Sequence, residues 1–228
     1  QVYSISWFDG FGRTWRTRNP GAVLNDGATM IDTETTHDVR GNVASVSLPH
    51  LTGDTAPQFV ATQYDWANRP VKIINADGTQ RTISYAVALS VEGVTNVPLL
   101  LTNETDELNR VRKTWISTDG KVIRIDRQHG AGWQTETRSY DTLGRMTGVT
   151  DAGGAVWTNV YDMLGNRITA TDPDLGTWTY EHDLASQLTA QTDARGVRTT
   201  MSYDANGRLL QRRIAAPVVA DPVLVTNT

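Results

Sequence analysis

Cysteine is missing from all 228 residues, which removes disulfides, zinc–cysteine sites and thiol nucleophiles together. That absence leaves the redox compartment open, since a large β protein needs no covalent staples. Long apolar runs are missing as well: no stretch approaches the ~20 residues that a membrane helix requires. No charged-then-apolar leader opens the chain. Positive charge is not in excess. With 21 Lys and Arg against 25 Asp and Glu, the net charge is -4 and the arginines are dispersed, which argues against a nucleic-acid backbone as ligand. What remains, 39% hydrophobic and 20% charged residues, is an ordinary folded composition with room for a core. The first residue is Gln1 rather than Met and the chain ends in "PVLVTNT", so it reads as a piece of something longer.

What is present is repetition. "YDTLGR" at Tyr140, "YDMLGN" at Tyr161, "HDLASQ" at His182 and "YDANGR" at Tyr203 follow one another every 21 residues. Looser copies stand upstream as "FDGFGR" at Phe8, "HDVRGN" at His37, "YDWANR" at Tyr64 and "TDELNR" at Thr105, at irregular spacing. Most copies place Asp first and Gly fourth in a four-residue window: Asp9 to Gly12, Asp38 to Gly41, Asp141 to Gly144, Asp162 to Gly165 and Asp204 to Gly207. Asp at the first position and Gly at the fourth is the preference of a type I turn, in which the carboxylate accepts from the turn's own amides. When such a turn closes a hairpin, the glycine takes positive φ and opens a bulge. Asn68 and Asn109 replace glycine in two copies and tolerate the same conformation. Ser186 fits poorly. The Asp-x-x-Gly is therefore a hairpin device rather than a carboxylate site.

A second turn follows ten residues after several of the first: "DAGG" from Asp151, "DARG" from Asp193, "NADG" from Asn75, and "DPDLG" at 172–176 one residue longer. Turns at this spacing leave strands of about six residues and predict an all-β chain, a long antiparallel meander of short hairpins. Period-two reading places Trp157, Asn159 and Tyr161, then Trp178, Tyr180 and His182, then Thr199, Met201 and Tyr203 on one face. Threonine and polar residues dominate the other. Residues 1–139 read as irregular repeats with insertions, 140–213 as regular repeats, and 214–228 as a tail or linker, with Pro217 and Pro222 favouring an edge or crossing segment. "NPGAVLNDGA" at 19–28 and "PHLTGDTAPQ" at 49–58 read as long turns or loops. The apolar segment 85–104 is two strands or a short helix, and periodicity leaves both open.

These residues resemble the YD repeats of RHS proteins. "WFDGFGRTWRTRNPG", "YDWANRPVKIINADGTQRTISY" and "DPDLGTWTYEHD" are similar to the RHS segment of long secreted toxin proteins related to the B and C components of insecticidal toxin complexes. Animal teneurins carry similar repeats. The resemblance implies a curved strip of a spiral β shell that encloses a toxic C-terminal domain and is closed by an aspartyl self-cleaving segment. Neither that segment nor a toxin domain has a counterpart here. The implied partners are the remaining shell and its enclosed effector, with self-association of the fragment, no nucleic acid and no membrane span.

Little else in the chain carries chemistry. His37, His50, His129 and His182 lack metal-ligand spacing, and His37 and His182 stand in the tyrosine column of the repeat, where packing explains them. Asp172, Asp174, Asp77 and Asp119 fall in turns rather than in a calcium loop. The glutamates Glu34, Glu92, Glu104, Glu107, Glu136 and Glu181 form no glycosidase motif. There is no nucleophile elbow, P-loop or dinucleotide fingerprint. The sequence predicts no catalytic, metal or cofactor residues and no enzyme activity; the resemblance to RHS proteins implies a structural shell segment of a secreted protein. The rival is an adhesive or carbohydrate-binding surface built on Trp157, Trp178 and their neighbours.

Overall fold

In a computed structural model, residues 3–24, 27–91 and 94–215 are described, without side chains for 22–24, 27–28, 90–91 and 94–97. Among them are strands and turns and no helix. The tail from residue 216 onward, with Pro217 and Pro222, and Glu92 lie outside the described residues. The strands are antiparallel and, apart from the short β5 that pairs with β3 while β4 pairs with β6, follow one another in chain order, forming the expected meander. The chain divides into two compact units: Gln1–Gly120 with Arg127–Trp133, and Lys121–Asp126 with Gln134–Thr228.

The first unit holds β1 (Ile5–Phe8), β2 (Thr14–Leu24), β3 (Gly27–His37), β4 (Val43–Ser47), β5 (His50–Leu51), β6 (Phe59–Tyr64), β7 (Pro70–Ile74), β8 (Gln80–Val91), β9 (Val94–Thr105) and β10 (Val111–Ile116). β11 (Val122–His129) and β12 (Gly132–Tyr140) each contribute to both units. The second unit continues through β13 (Met146–Thr150), β14 (Val156–Tyr161), β15 (Arg167–Asp172), β16 (Gly176–His182), β17 (Leu188–Thr192), β18 (Arg198–Tyr203) and β19 (Leu209–Ala215).

In the first unit the structure changes two sequence readings and settles one left open. Residues 19–24 and 27–28 are not a loop: they belong to the distal arms of β2 and β3, with Asn19 opposite Ile31 and Leu24 opposite Gly27, while 25–26 lie outside the described residues. The register slips between Pro20 and Val23, as expected where proline removes a ladder donor. In the segment 85–104, residues 85–91 and 94–104 are strand, the long arms of β8 and β9. That hairpin also moves the Asp106 turn. Alternate turns of a meander lie at opposite strand ends, so the turns at 9–12, 38–41 and 65–68 share one end, while the Asp106 turn joins the Asn75 turn at the other. Asn75 Nδ2 donates to Glu107 Oε1 at 3.2 Å there. The copy at Thr105 thus has the repeat's turn but not its place.

In the second unit the face assignment holds. β14 and β16 alternate between half-buried and exposed residues, with Trp157, Tyr161, Trp178 and Tyr180 on the half-buried face. Half-buried is as deep as most residues go. A single layer leaves each face open, and the buried hydrophobic residues among those described are Leu99, Trp115, Ile125 and Ala190. Stability must therefore come largely from cross-strand pairs and turns.

The turns adopt the expected backbone. Gly12, Gly41, Gly144, Gly165 and Gly207 have φ between 77° and 93°, and Asn68 and Asn109 sit at 60°. Ser186 adopts φ 61° as well, without the tolerance of Gly or Asn. After each turn the register shifts at the tyrosine position: Val160 faces Thr169 but Tyr161 faces Arg167, leaving Ile168 as the extra residue of a bulge. At Gly154, φ 84°, an added Cβ meets nothing within 4 Å, so substitution there isolates the backbone term. Gly154→Ala is expected to lower the unfolding free energy by about 1 kcal/mol, and Ser186→Asn to raise it by ~0.5 kcal/mol, both read from urea midpoints.

Candidate functional site

The repeated feature with the densest side-chain chemistry is the turn. At Asp141, the backbone NH donates to Arg145 O and the carbonyl accepts from Gly144 NH. Oδ1 accepts from the amides of Leu143 and Arg145, and Oδ2 accepts from Arg145 Nε at 2.6 Å. The same arrangement, amides on one oxygen and an arginine Nε on the other, recurs at Asp9, Asp65, Asp106 and Asp204. In the Asp38 and Asp162 turns an asparagine amide, Asn42 or Asn166, replaces the guanidinium. At Asp204 the backbone amide and then the guanidinium of Arg208 hold the carboxyl below its ordinary pKa. At Asp141 desolvation pushes the pKa up, and the amide and guanidinium of Arg145 outweigh it.

The Asp141 clamp is joined to the next repeat. The Arg145 guanidinium lies 4.8 Å from the Tyr161 ring centroid, and its NH1 donates to Asp162 O at 2.9 Å. Tyr161 OH donates to Met146 O at 3.0 Å, the carbonyl at the bulge that follows the Asp141 turn. Tyr203 reaches Leu188 O, Tyr85 reaches Pro70 O, Tyr64 reaches Val43 O and Tyr140 reaches Val122 O in the same way. Sequence reasoning read the aspartate and glycine of this motif but missed the role of the arginine. Its recurrence one place after the glycine was the available signal.

Of the sequence-weighted residues, the histidines do not converge. His37 and His182 are half-buried in the tyrosine column, His129 is exposed, and His50 Nδ1 lies 3.0 Å from Leu48 O. The Nδ1 of His182 is buried with no hydrogen-bond partner, and the imidazole cannot make the tyrosine hydroxyl's bond. Among the described residues no three His, Cys, Asp or Glu gather as a metal site. Each described glutamate meets an arginine: Glu34 with Arg16, Glu104 and Glu107 with Arg81, Glu136 with Arg138, and Glu181 with both terminal nitrogens of Arg198. Asp77 accepts from Thr79, Asp119 from Ser117, and Asp172 from the amides of Asp174 and Leu175. A buried cluster unforeseen from sequence lies in the first unit. Fully buried Asp32 accepts from Arg18, Arg16 and Thr52, which hold its carboxyl far below the usual range against the upward push of burial.

Apolar residues at the turn tips form a second feature. In the first unit Phe11, Val39 and Trp66 stand at the tips of turns sharing one strand end, with Trp66 87% exposed. In the second unit Leu143, Met163, Leu164 and Leu184 do the same, Met163 and Leu184 each at 98%. The opposite end of the second unit carries Ala152, Gly153, Ala194 and Arg195 with Leu175 as its exposed apolar residue.

The RHS Repeat family model matches residues 140–177, 161–196 and 182–216. Comparison with curated proteins finds no match. Among solved structures, a crystal structure of TcdB2-TccC3-TEV is similar at TM-score 0.72 and 18% identity, covering 95% of this chain and 13% of that one. A Photorhabdus luminescens Tc holotoxin pore is similar at TM-score 0.72 and 17% identity, covering 95% and 12%. A TcdB2-TccC3 crystal structure gives TM-score 0.70 and 18% identity, covering 94% and 13%. The likeness fixes the fold, and the chain spans about an eighth of the length of these structural neighbours.

Because the clamped carboxyls have lowered pKa values, their contribution to stability is complete above the unfolded aspartate pKa of about 3.9 and is lost as pH falls through the folded values. Urea midpoints are expected to decline below about pH 4, with a shallower acid decline in Asp204→Asn. His182→Tyr, which supplies the missing hydroxyl opposite Arg167, is expected to raise stability by about 1 kcal/mol, while His182→Phe gives no such gain.

Proposed function

We propose that this chain, which matches the RHS Repeat model between residues 140 and 216, is a structural strip of the RHS shell of a secreted toxin or toxin-like protein, helping to enclose a C-terminal effector. The observation that carries the reading is the turn ladder. Clamped aspartates, the arginines that reach the next repeat and the tyrosines that cap bulges are engaged in maintaining the strip, and the described glutamates are paired. Neighbour-to-neighbour side-chain use of this kind is how repeat proteins hold their form. The strip has no catalytic role of its own in this reading, and catalysis would reside in the enclosed effector.

The turn tips supply the second support. A rim of exposed apolar side chains is unfavourable in a free strip and is suited to packing against a further strip of the same wall. Its partners in this reading are the remaining shell and the effector.

Limited proteolysis of the full-length parent tests enclosure: the effector is expected to resist cleavage in the intact protein and to become sensitive when the wall is opened. Equal sensitivity in both states would overturn the reading. Secretion is checked by fractionating the producing culture. For the isolated chain, light scattering is expected to show self-association that weakens when Leu143, Leu164 and Leu184 are replaced together by Ser.

A further inference from the structure

One turn of the second unit lacks its clamp. Asp151 Oδ1 accepts from the amides of Gly153 and Ala155, as Asp141 Oδ1 does from those of Leu143 and Arg145. At Asp141 and Asp162 the second carboxylate oxygen is met by the side chain four places on, Arg145 or Asn166. Four places after Asp151 stands Ala155, which has nothing to donate, and among the described residues Asp151 Oδ2 has no hydrogen-bond partner. Asp151 lines a cavity of about 680 Å³ on the half-buried aromatic face, a volume within the usual range for small-ligand sites.

Register decides what stands beside this charge. Val149 faces Trp157 from β13, and Asp151 lies two residues further along on the same side of the sheet. On the other flank, Trp157 Nε1 donates to Asp172 Oδ2 at 3.0 Å, while Asp172 Oδ1 accepts from the amides of Leu175 and Asp174. Those amides hold the Asp172 carboxyl below its ordinary pKa, so it is charged, and all of its donors are neutral groups that leave the charge uncancelled. Glu136, also on the lining, is by contrast paired with Arg138 at 2.6 Å. The lining Arg167 stands at the opposite end of β15 from Asp172, over the Tyr180 ring at 4.8 Å. Two carboxylates without a counter-cation therefore flank one indole, and Trp178, facing the small Ala170, supplies a second aromatic wall.

From these features we infer that the cavity binds a small N-methylated ammonium ion, its charged head against the Trp157 indole between Asp151 and Asp172. A cation over an indole face is attracted by the ring quadrupole, most strongly where water is excluded. The arrangement does not suit a metal ion. Asp151 and Asp172 belong to strands two apart, about 10 Å by strand spacing, and among the described residues no three His, Cys, Asp or Glu gather. A primary ammonium brings three donors, yet three of the roughly four acceptor sites of Asp172 are already filled. A methylated head requires no acceptors; it requires apolar surface and nearby negative charge, which this lining combines. The inference is independent of enclosure, since it concerns one face of one unit.

The test is tryptophan fluorescence and calorimetric titration of the full chain with choline, with ethanolamine, and with dimethylbutanol, the neutral isostere in which carbon replaces the ammonium nitrogen. Saturable binding of choline is expected, at least about tenfold tighter than either comparison compound and weakened by salt. Asp151→Asn is expected to weaken choline about tenfold with its turn intact, because Asn75 heads a turn with the same backbone hydrogen bonds. Ala155→Arg supplies the missing clamp: its guanidinium is expected to occupy Asp151 Oδ2, abolish choline binding and raise the urea midpoint. Absence of choline binding would overturn the inference, as would binding of dimethylbutanol or ethanolamine as tight as that of choline. Choline affinity unchanged in Asp151→Asn or in Ala155→Arg would overturn it equally.

Discussion

Everything regular in this protein depends on an aspartate carboxylate accepting hydrogen bonds from amides two and four residues ahead. That bond set closes the turn, places the fourth residue at positive φ and starts the bulge that follows. The bulge in turn changes which face the next strand presents, because one extra residue inverts a period-two pattern. Tyrosine and tryptophan then return to the same face in successive copies even though the repeat length, 21, is odd. A meander with no second layer has few other means of fixing register. Its buried hydrophobic residues are few, so the edges carry work that a core performs in layered proteins.

The clamp also explains why the strip is directional. Arg145 secures its own aspartate and then reaches Tyr161 and the Asp162 carbonyl, while Tyr161 reaches back to Met146 O. Where arginine and tyrosine are both present, a repeat is therefore completed by the one after it, a nearest-neighbour coupling expected to propagate along the chain. With the aspartates and glutamates engaged in this way, the surfaces available to other molecules are the apolar turn tips and the open aromatic face. The first suits strip-to-strip packing, and the second leaves a ligand-sized volume. The two surfaces lie on different parts of the strip and serve different purposes without conflict.

Much of this was legible in the sequence because its cause is local. Positive φ at Gly165 or Asn68 follows from a four-residue window, and so did the alternation along β14 and β16. The arginine's role was not legible, because its second target in the Asp162 turn lies 17 residues away and nothing in a single turn points to it. Residues 19–28 looked like a loop because Asn, Pro and Gly are turn residues, yet cross-strand pairing with β3 overrides that preference. The Thr105 copy was legible as a turn but its strand end was not, since the β8–β9 arms add a reversal that spacing alone does not count. The cavity was out of reach for a different reason: it forms where the small Ala170 falls opposite Trp178, a coincidence of register rather than of motif.

The irregular first unit shows what replaces the ladder where the repeat decays. Its opening copies lack tyrosine: Phe8 and His37 stand in the column, and neither can donate a hydroxyl to a bulge carbonyl. In their place the β2–β3 hairpin carries the Asp32 cluster, with Arg16 and Arg18 converging on one buried carboxylate and Trp7 lying 5.2–5.4 Å from both guanidiniums. Thr52, just past β5, donates to the same carboxylate, tying the short β5 to the long arms of β3. A buried ion cluster contributes little net stability because desolvation offsets its attraction, but it tolerates no slip of register. A one-residue shift would turn Asp32 to the other face and leave two arginines without their counter-charge. In the regular unit, register is set by turns at short intervals. In the long hairpin, where turns are far apart, a charge that must be met from the facing strand and a neighbouring segment performs the same task.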